Sequence, residues 1–503
     1  MLLKMDSMQQ TIQHLTKDEV RKFRHHLQVQ NETKLLALFN LLLSSAESFT
    51  EKQLEEKIYG KVNGGRRASM LRHILKETML DFLTSYRMLK RHKLLDKSFA
   101  AQIRIKKRIA EYTMLNRSGR NLPFAHQLLD EAIADAKKEE CYSDLVFAMD
   151  QQKYHYGFSQ GDKAFDKREK KTMQYERWRL AFRRAVYYYY KVIVNNKFSG
   201  NPDKKKLLKI IKEGLKEMKR DYADTRLPGV LYYQKKLESE YYQQKGNYKK
   251  AIQICRNTLK HLKKHPSVNN SQRTGYAHDD MAQCYIFLKN YKKAMNHLLL
   301  AQKNILKGTV NHLVSKEQEI LLFFYDMQYD KVKQLTETSL RNFPVDAEPF
   351  LRGKLHFYLA CALFKLNNYD AALKILKQKS EVFSDKAGWM FFSKLVEIMT
   401  LYEMKNFGEM KSALERFRKF IGYNKKAFTK RDLAVIRLLY LLGNSDNFLL
   451  SGKNKREAQK LVTLLKSNRN NYQWRPYSHE VIRFEEWVQE KIIFVNSKKE
   501  KYG

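Results

Sequence analysis

Gly246-Asn247-Tyr248-Lys249-Lys250-Ala251 is followed by a worn copy of itself, Asn290-Tyr291-Lys292-Lys293-Ala294. The phrase returns as Gln328-Tyr329-Asp330-Lys331-Val332, as Asn368-Tyr369-Asp370-Ala371-Ala372, and as Asn406-Phe407-Gly408-Glu409-Met410. Its aromatic residues stand 43, 38, 40 and 38 positions apart. A phrase recurring every ~20 to 50 residues marks a chain built of stacked units.

Apolar residues at helical spacing flank each phrase. His278, Met281, Ala282 and Tyr285 precede Tyr291, and Ala294, Leu298 and Ala301 follow it. His356, Leu359 and Ala360 precede Tyr369, and Ala372 and Leu376 follow it. Offsets of three and four put these residues on one face of each helix. The pattern predicts a helix, a tight turn covered by the aromatic, and a second antiparallel helix. Small Ala282 and Ala360 fall where the two helices approach. One such hairpin cannot bury its apolar face alone, so neighbours must stack.

These hairpins resemble the tetratricopeptide repeat family, most closely over 275–308 and 353–386. Val332 and Met410 replace the alanine in the third and fifth copies, and the family's tryptophan is absent throughout. Pro344 falls where that family often ends a repeat. The resemblance implies an all-α helical-hairpin solenoid over 225–425, with first helices lining a concave groove. It further implies a non-catalytic scaffold or adaptor, with a peptide or acidic protein segment in that groove. His278, Asp279, Tyr285, Asn311, Lys316, Lys354 and His356 are the expected partner-binding residues. Lys316 and Lys354 would pair with acidic side chains or a terminal carboxylate. The family's carboxylate-clamp pattern is not cleanly reproduced, which argues against a receptor for chaperone tails.

The 503 residues carry a net charge of +42, with 96 Lys and Arg against 54 Asp and Glu. That excess points to an anionic partner or an acidic protein surface. The lysines are spread along the whole chain, which equally fits an ordinary solvated surface. Cys141, Cys255, Cys284 and Cys361 are far apart and read as small buried residues. Asp6, Gln9 and Gln10 interrupt the apolar start, so no signal peptide is expected. No run approaches ~18 apolar residues, so no spanning helix is expected either. A cytoplasmic location follows as the default.

Residues 1–95 read as a small helical module. Thr16 with Glu19 and Thr50 with Gln53 are capping signals. The basic stretch from Gly60 to Arg67 reads as a mobile linker, with Gly64-Gly65-Arg66-Arg67 as a weaker candidate for nucleic-acid contact. Residues 96–224 read as a helical connecting region in which the repeat phrase is not visible, although degenerate repeats would fit. It includes a helix over 173–194 with four adjacent tyrosines, Tyr187 to Tyr190, which cannot all face one side. A basic amphipathic helix follows, its apolar side holding Leu207, Ile211 and Met218. Residues 426–503 read as a C-terminal helical cap, with a polar loop from Asn468 to Ser478 and a closing helix over 479–493.

Catalytic patterns are missing. There is no His-Glu-x-x-His, glycine-rich nucleotide loop, paired-cysteine site or nucleophile elbow. His278-Asp279-Asp280 has metal-binding residue types, but adjacent side chains on a helix diverge. No enzyme activity, metal or cofactor is expected. Two other readings remain open. One is a nucleic-acid-binding helical array, suggested by the charge, the tyrosines and the Gly64–Arg67 loop. The other is a transcriptional or signalling regulator in which the N-terminal module works with the repeats.

Overall fold

A computed structural model describes residues 7–13, 15–45, 49–89, 97–119, 122–197, 204–342, 349–378, 381–424, 427–443, 452–467, 472–474 and 476–491. Secondary structure among them is entirely helical. Two compact units divide the chain, residues 1–100 and 101–503. No helix among the described residues is long and apolar enough to cross a membrane.

The first unit holds α1 (Ser7–Gln13), α2 (Lys17–Val29), α3 (Thr33–Ser44), α4 (Glu51–Tyr59) and α5 (Arg66–Leu89). Phe23, Leu27, Leu38, Phe39, Leu42 and Leu75 form its core. Both capping boxes are present: Thr16 with Glu19 opens α2, and Thr50 with Gln53 opens α4. The Gly60–Arg67 stretch is pinned rather than a mobile linker. Glu55, fully buried on α4, accepts backbone N–H groups from Asn63 at 2.7 Å, Gly65 at 2.7 Å and Arg67 at 3.2 Å. Gly64 and Gly65, at φ 71° and 84°, let the backbone turn those groups inward. The loop is an anion nest, and its anion is the protein's own carboxylate. Burial alone would raise the Glu55 pKa, but the three N–H donors and Arg67 hold it below the usual value.

The second unit begins with α6 (Lys97–Ser118), which crosses the division, and continues with α7 (Leu122–Lys138), α8 (Tyr142–Gln160), α9 (Asp162–Lys197) and α10 (Lys204–Thr225). The repeat hairpins follow: α11 (Pro228–Gln244) with α12 (Tyr248–Lys264), α13 (Ser271–Phe287) with α14 (Tyr291–Asn304), and α15 (Val310–Tyr325) with α16 (Tyr329–Arg341). Then come α17 (Pro349–Lys365) with α18 (Tyr369–Leu376), and α19 (Phe391–Glu403) with α20 (Phe407–Asn424). Pro344 lies outside the described residues.

Each phrase aromatic is the first residue of a second helix, and the turn before it explains why the phrase recurs. Gly246, Lys289, Met327, Asn367 and Lys405 all stand in the left-handed region, at φ 75°, 55°, 59°, 60° and 56°. The next residue donates its backbone N–H to the carbonyl five positions back, as in Asn290 to Tyr285 at 2.9 Å and Asn368 to Leu363 at 2.9 Å. The side chains of Asn247, Asn290, Asn368 and Asn406 then cap the second helix by accepting the N–H three residues on. Gln328 makes no such cap. Three residues after the aromatic, Ala251, Ala294, Val332 and Ala372 are fully buried, and Met410 is nearly so. Ala282 and Ala360 are fully buried at the matching first-helix position, as expected.

The same turn occurs between α7 and α8, where the phrase is too worn to read. Glu140 has φ 56°, Cys141 N–H reaches Ala136 O at 2.8 Å, and Tyr142 opens the helix. Cys141 replaces the capping asparagine and makes no side-chain cap. Further along, α10 packs Leu207, Ile211 and Met218 inward and leaves Lys209, Lys212, Lys216 and Lys219 exposed. Among the four tyrosines, Tyr187 and Tyr190 are exposed, whereas Tyr188 packs into the core and Tyr189 lies against Tyr233.

The chain ends with α21 (Lys430–Gly443), α22 (Gly452–Lys466), irregular backbone at 472–474 and 476–483, and a helical turn pair at 484–491. The closing helix thus begins at 484 rather than 479. His479 and Glu480 are held elsewhere. Buried Arg431 on α21 grips Glu480 through two bonds, at 2.5 and 2.8 Å, and Glu485 at 2.7 Å. It also donates to the carbonyls of Leu465 and Tyr472. His479 meets Asp432 at 3.3 Å. Val481, Ile482, Phe484, Trp487 and Val488 join the core made by α15 through α21. Ile492 lies outside the described residues.

Candidate protein-binding face

Successive first helices touch one another: α13 meets α15, α15 meets α17 and α17 meets α19. Successive second helices make no comparable contact among the described residues. The first helices therefore form one continuous inner row along the stack, with the second helices on its other side.

Polar side chains bridge that inner row from one hairpin to the next. Lys236 on α11 pairs with Asp280 on α13. Gln318 on α15 donates to Asp279 on α13 at 2.6 Å. Lys354 and Tyr358 on α17 both reach Glu317 on α15, at 2.5 and 2.6 Å. Lys236, Asp279 and Glu317 hold the same place in their repeats, fifteen residues before the buried Ala251, Ala294 and Val332. Burial opposes the Lys236 charge, but Asp280 more than offsets that and keeps its pKa well above the ordinary value. Asp279 goes the other way. Burial, with Asp280 and Glu317 nearby, pushes its pKa up to about 7, against smaller opposing pulls from Ser315 and Lys236. Asp279 Oδ1, Gln318 Oε1 and the Ser315 hydroxyl are buried without a hydrogen-bond partner in proper geometry.

Part of this face is covered by the chain itself. Tyr477 N–H donates to the Tyr325 hydroxyl of α15 at 2.9 Å. Its ring lies 5.8 Å from Phe287 of α13, and Trp474 meets Tyr325 edge-on at 5.4 Å. Burial first, then Tyr325, Asp279 and Glu317, push the Tyr477 hydroxyl pKa well up. That hydroxyl is itself buried without a partner. A stretch that the sequence presents as a polar loop therefore sets two aromatic rings on the inner row.

The residues expected to bind a partner lie in several different surroundings. Asp279 and Lys354 belong to the bridged inner row, where Lys354 is already balanced by Glu317. His278, Lys316 and His356 share one register position, one residue earlier than that row. His278 faces His297 of its own hairpin, Nδ1 to Nδ1 at 3.0 Å, and Lys316 pairs with Glu319 at 2.7 Å. His356 borders a small cavity with Phe357, Ile375 and Leu376. Tyr285 is buried, stacked on His297 and bonded to Arg256. Asn311 donates to the Tyr276 hydroxyl at 2.6 Å. His278, Asp279 and Asp280 point at three different elements and do not converge on a metal. Lys236, Asp280, Glu317 and Gln318 were not among the expected residues, although the repeat register sets Lys236 and Glu317 at the Asp279 position and Asp280 and Gln318 one residue after it; Trp474 and Tyr477 had no local signal.

Tests against family models and against curated proteins return no match. Solved structures do return likenesses. The apo form of RapI is 14% identical, with a TM-score of 0.44, covering 77% of this chain and 98% of that one. A STAND signal-transduction ATPase with a tetratricopeptide repeat sensor, from Pyrococcus horikoshii, is 13% identical, with a TM-score of 0.35 and coverage of 98% and 70%. The TPR2AB domain of yeast Sti1, in complex with pHSP90, is 10% identical, with a TM-score of 0.20 and coverage of 43% and 87%. The repeated turn, its caps and the buried alanines fix the architecture from within this chain. It is an all-α stack of helical hairpins whose repeat phrase resembles that of the tetratricopeptide family.

Proposed function

We propose that the protein is a non-catalytic interaction scaffold whose inner first-helix face receives a segment of another protein. The observation that carries this reading is the seating of Trp474 and Tyr477 against Phe287 and Tyr325. A non-helical stretch with aromatic side chains fits that row, so a similar stretch from a partner has a place to bind. The +42 charge supports an acidic surface elsewhere on that partner, met by exposed lysines such as those of α10. The inner row itself is mixed in sign and largely paired internally.

The test is a photo-crosslinker placed at Gln244, which shares its register with Phe287 and Tyr325, and separately at Leu299, exposed on α14. Cell extracts are treated with or without nuclease before irradiation. Protein adducts from Gln244 that survive nuclease and exceed those from Leu299 are expected. Adducts confined to Leu299 would remove the inner face from the reading. Loss of every partner on nuclease treatment would favour nucleic-acid binding instead.

A further inference from the structure

We infer that Trp474 and Tyr477 are a built-in stand-in for the partner segment, and that a partner carrying two aromatic residues three positions apart displaces them. The inference rests on the inner face being the binding face, as proposed above. It adds the chemistry of the occupant and the regulation of the site.

Two parts of the C-terminal stretch are held very differently. Residues 479–491 are anchored. Arg431 satisfies Glu480 and Glu485, Val481, Ile482 and Phe484 are buried, and Trp487 donates to Glu403 while Lys491 pairs with it. Trp474 and Tyr477 meet the first helices through their rings and one hydrogen bond, Tyr477 N–H to Tyr325, whereas Tyr472 is tied to Arg431 through its carbonyl. Trp474 is also tied back to the anchored part: its Nε1 donates to Glu480 O, and Arg483 lies over its ring. Tyr477 is held in the left-handed region, at φ 62°, which is unfavourable for a side chain of its size.

The polar fit under this lobe is incomplete. The Tyr477 hydroxyl, Asp279 Oδ1 and Gln318 Oε1 are all buried without partners, and each unmet group weakens the contact. Gln318 Oε1 is an acceptor there, and Asp279 Oδ1 is one when that carboxyl is ionised. A segment with the same aromatic spacing, plus an N–H donor such as Asn, Gln, Arg or Lys, would keep the ring contacts and satisfy those oxygens. It would thereby outcompete the lobe while leaving the 479–491 anchor in place.

The probe is a fluorescein-labelled peptide of residues 472–483, YQWRPYSHEVIR, with a control in which its Trp and Tyr are alanine. Binding is measured by fluorescence anisotropy to the full chain and to the full-chain double variant Trp474→Ala, Tyr477→Ala. The double variant should bind the peptide at least tenfold more tightly than the wild type, and neither should bind the control. Equal affinity for both chains, or no binding to the double variant, would overturn the inference. Because that variant could misfold, the wild-type fold is tested as well. A photo-crosslinker replacing Tyr477 should label α13 or α15, and excess peptide should at least halve the yield. An unchanged yield overturns the inference whatever the variant does. A partner captured equally by wild type and double variant would leave the scaffold reading standing and remove only the displacement.

Discussion

Asp279 and Glu55 are both carboxyls held by the fold, with opposite consequences for pH. The Asp279 pKa stands at about 7, against 3.8 for an ordinary aspartate. Between those values the folded chain keeps a proton that the unfolded chain releases, so this group subtracts stability as pH rises through the window. The cost is absent below the lower value and complete above the higher. Asp279→Asn should therefore gain stability relative to wild type from pH 4 to pH 8. Chemical denaturation followed by tryptophan fluorescence measures this. All four tryptophans, Trp178, Trp389, Trp474 and Trp487, lie in the second unit. A difference that stays flat with pH would mean that Asp279 is ionised throughout. For Glu55 the folded pKa is depressed, so its contribution is present above the usual carboxylate range and fades as pH falls through the folded value. Glu55→Gln should leave nest N–H groups at Asn63, Gly65 and Arg67 poorly satisfied. Faster amide exchange over 60–70 in the full chain is the expected result, and unchanged protection would show that the glycines alone shape the loop.

Hairpin turns set the next level of order. Four of the five phrases use an asparagine cap, whereas Gln328 occupies the same place without one. Asn368→Ala should cost ~1 kcal/mol and Gln328→Asn should gain ~0.5 kcal/mol. Both are read from denaturant midpoints at unchanged slope. Opposite signs at these equivalent positions would tie the phrase to capping; no gain at Gln328 would mean that its turn is constrained by something else. Such turns explain why the repeats could be read at all. A left-handed residue, a cap and a first-position aromatic are local requirements, so they leave residues close together in the chain. The turn at 140–142 obeys the same backbone rules with different side chains, and for that reason the phrase is not visible there.

Across the second unit, the C-terminal stretch closes the stack by binding its inner side. Arg431 is the tie, with partners 49 and 54 residues away. Removing one member of a buried ion network leaves the others uncompensated, typically at ~3–5 kcal/mol. Arg431→Ala should destabilise the second unit by that order, measured by the same fluorescence titration. A loss under ~1 kcal/mol would mean that Glu480 and Glu485 are protonated or solvated in the variant. The sequence by itself determined the helical class, the hairpin register, the buried alanines and both capping boxes. All of these depend on spacings of three, four and about forty residues along one chain. Only the tertiary structure decided that Glu55 fills the glycine nest, that Lys236, Asp280, Gln318 and Glu317 bridge the inner row, and that Trp474 and Tyr477 cover part of it. Those pairings join residues brought together by stacking and chain return, and neither hydrophobic period nor turn chemistry records which distant side chain will arrive.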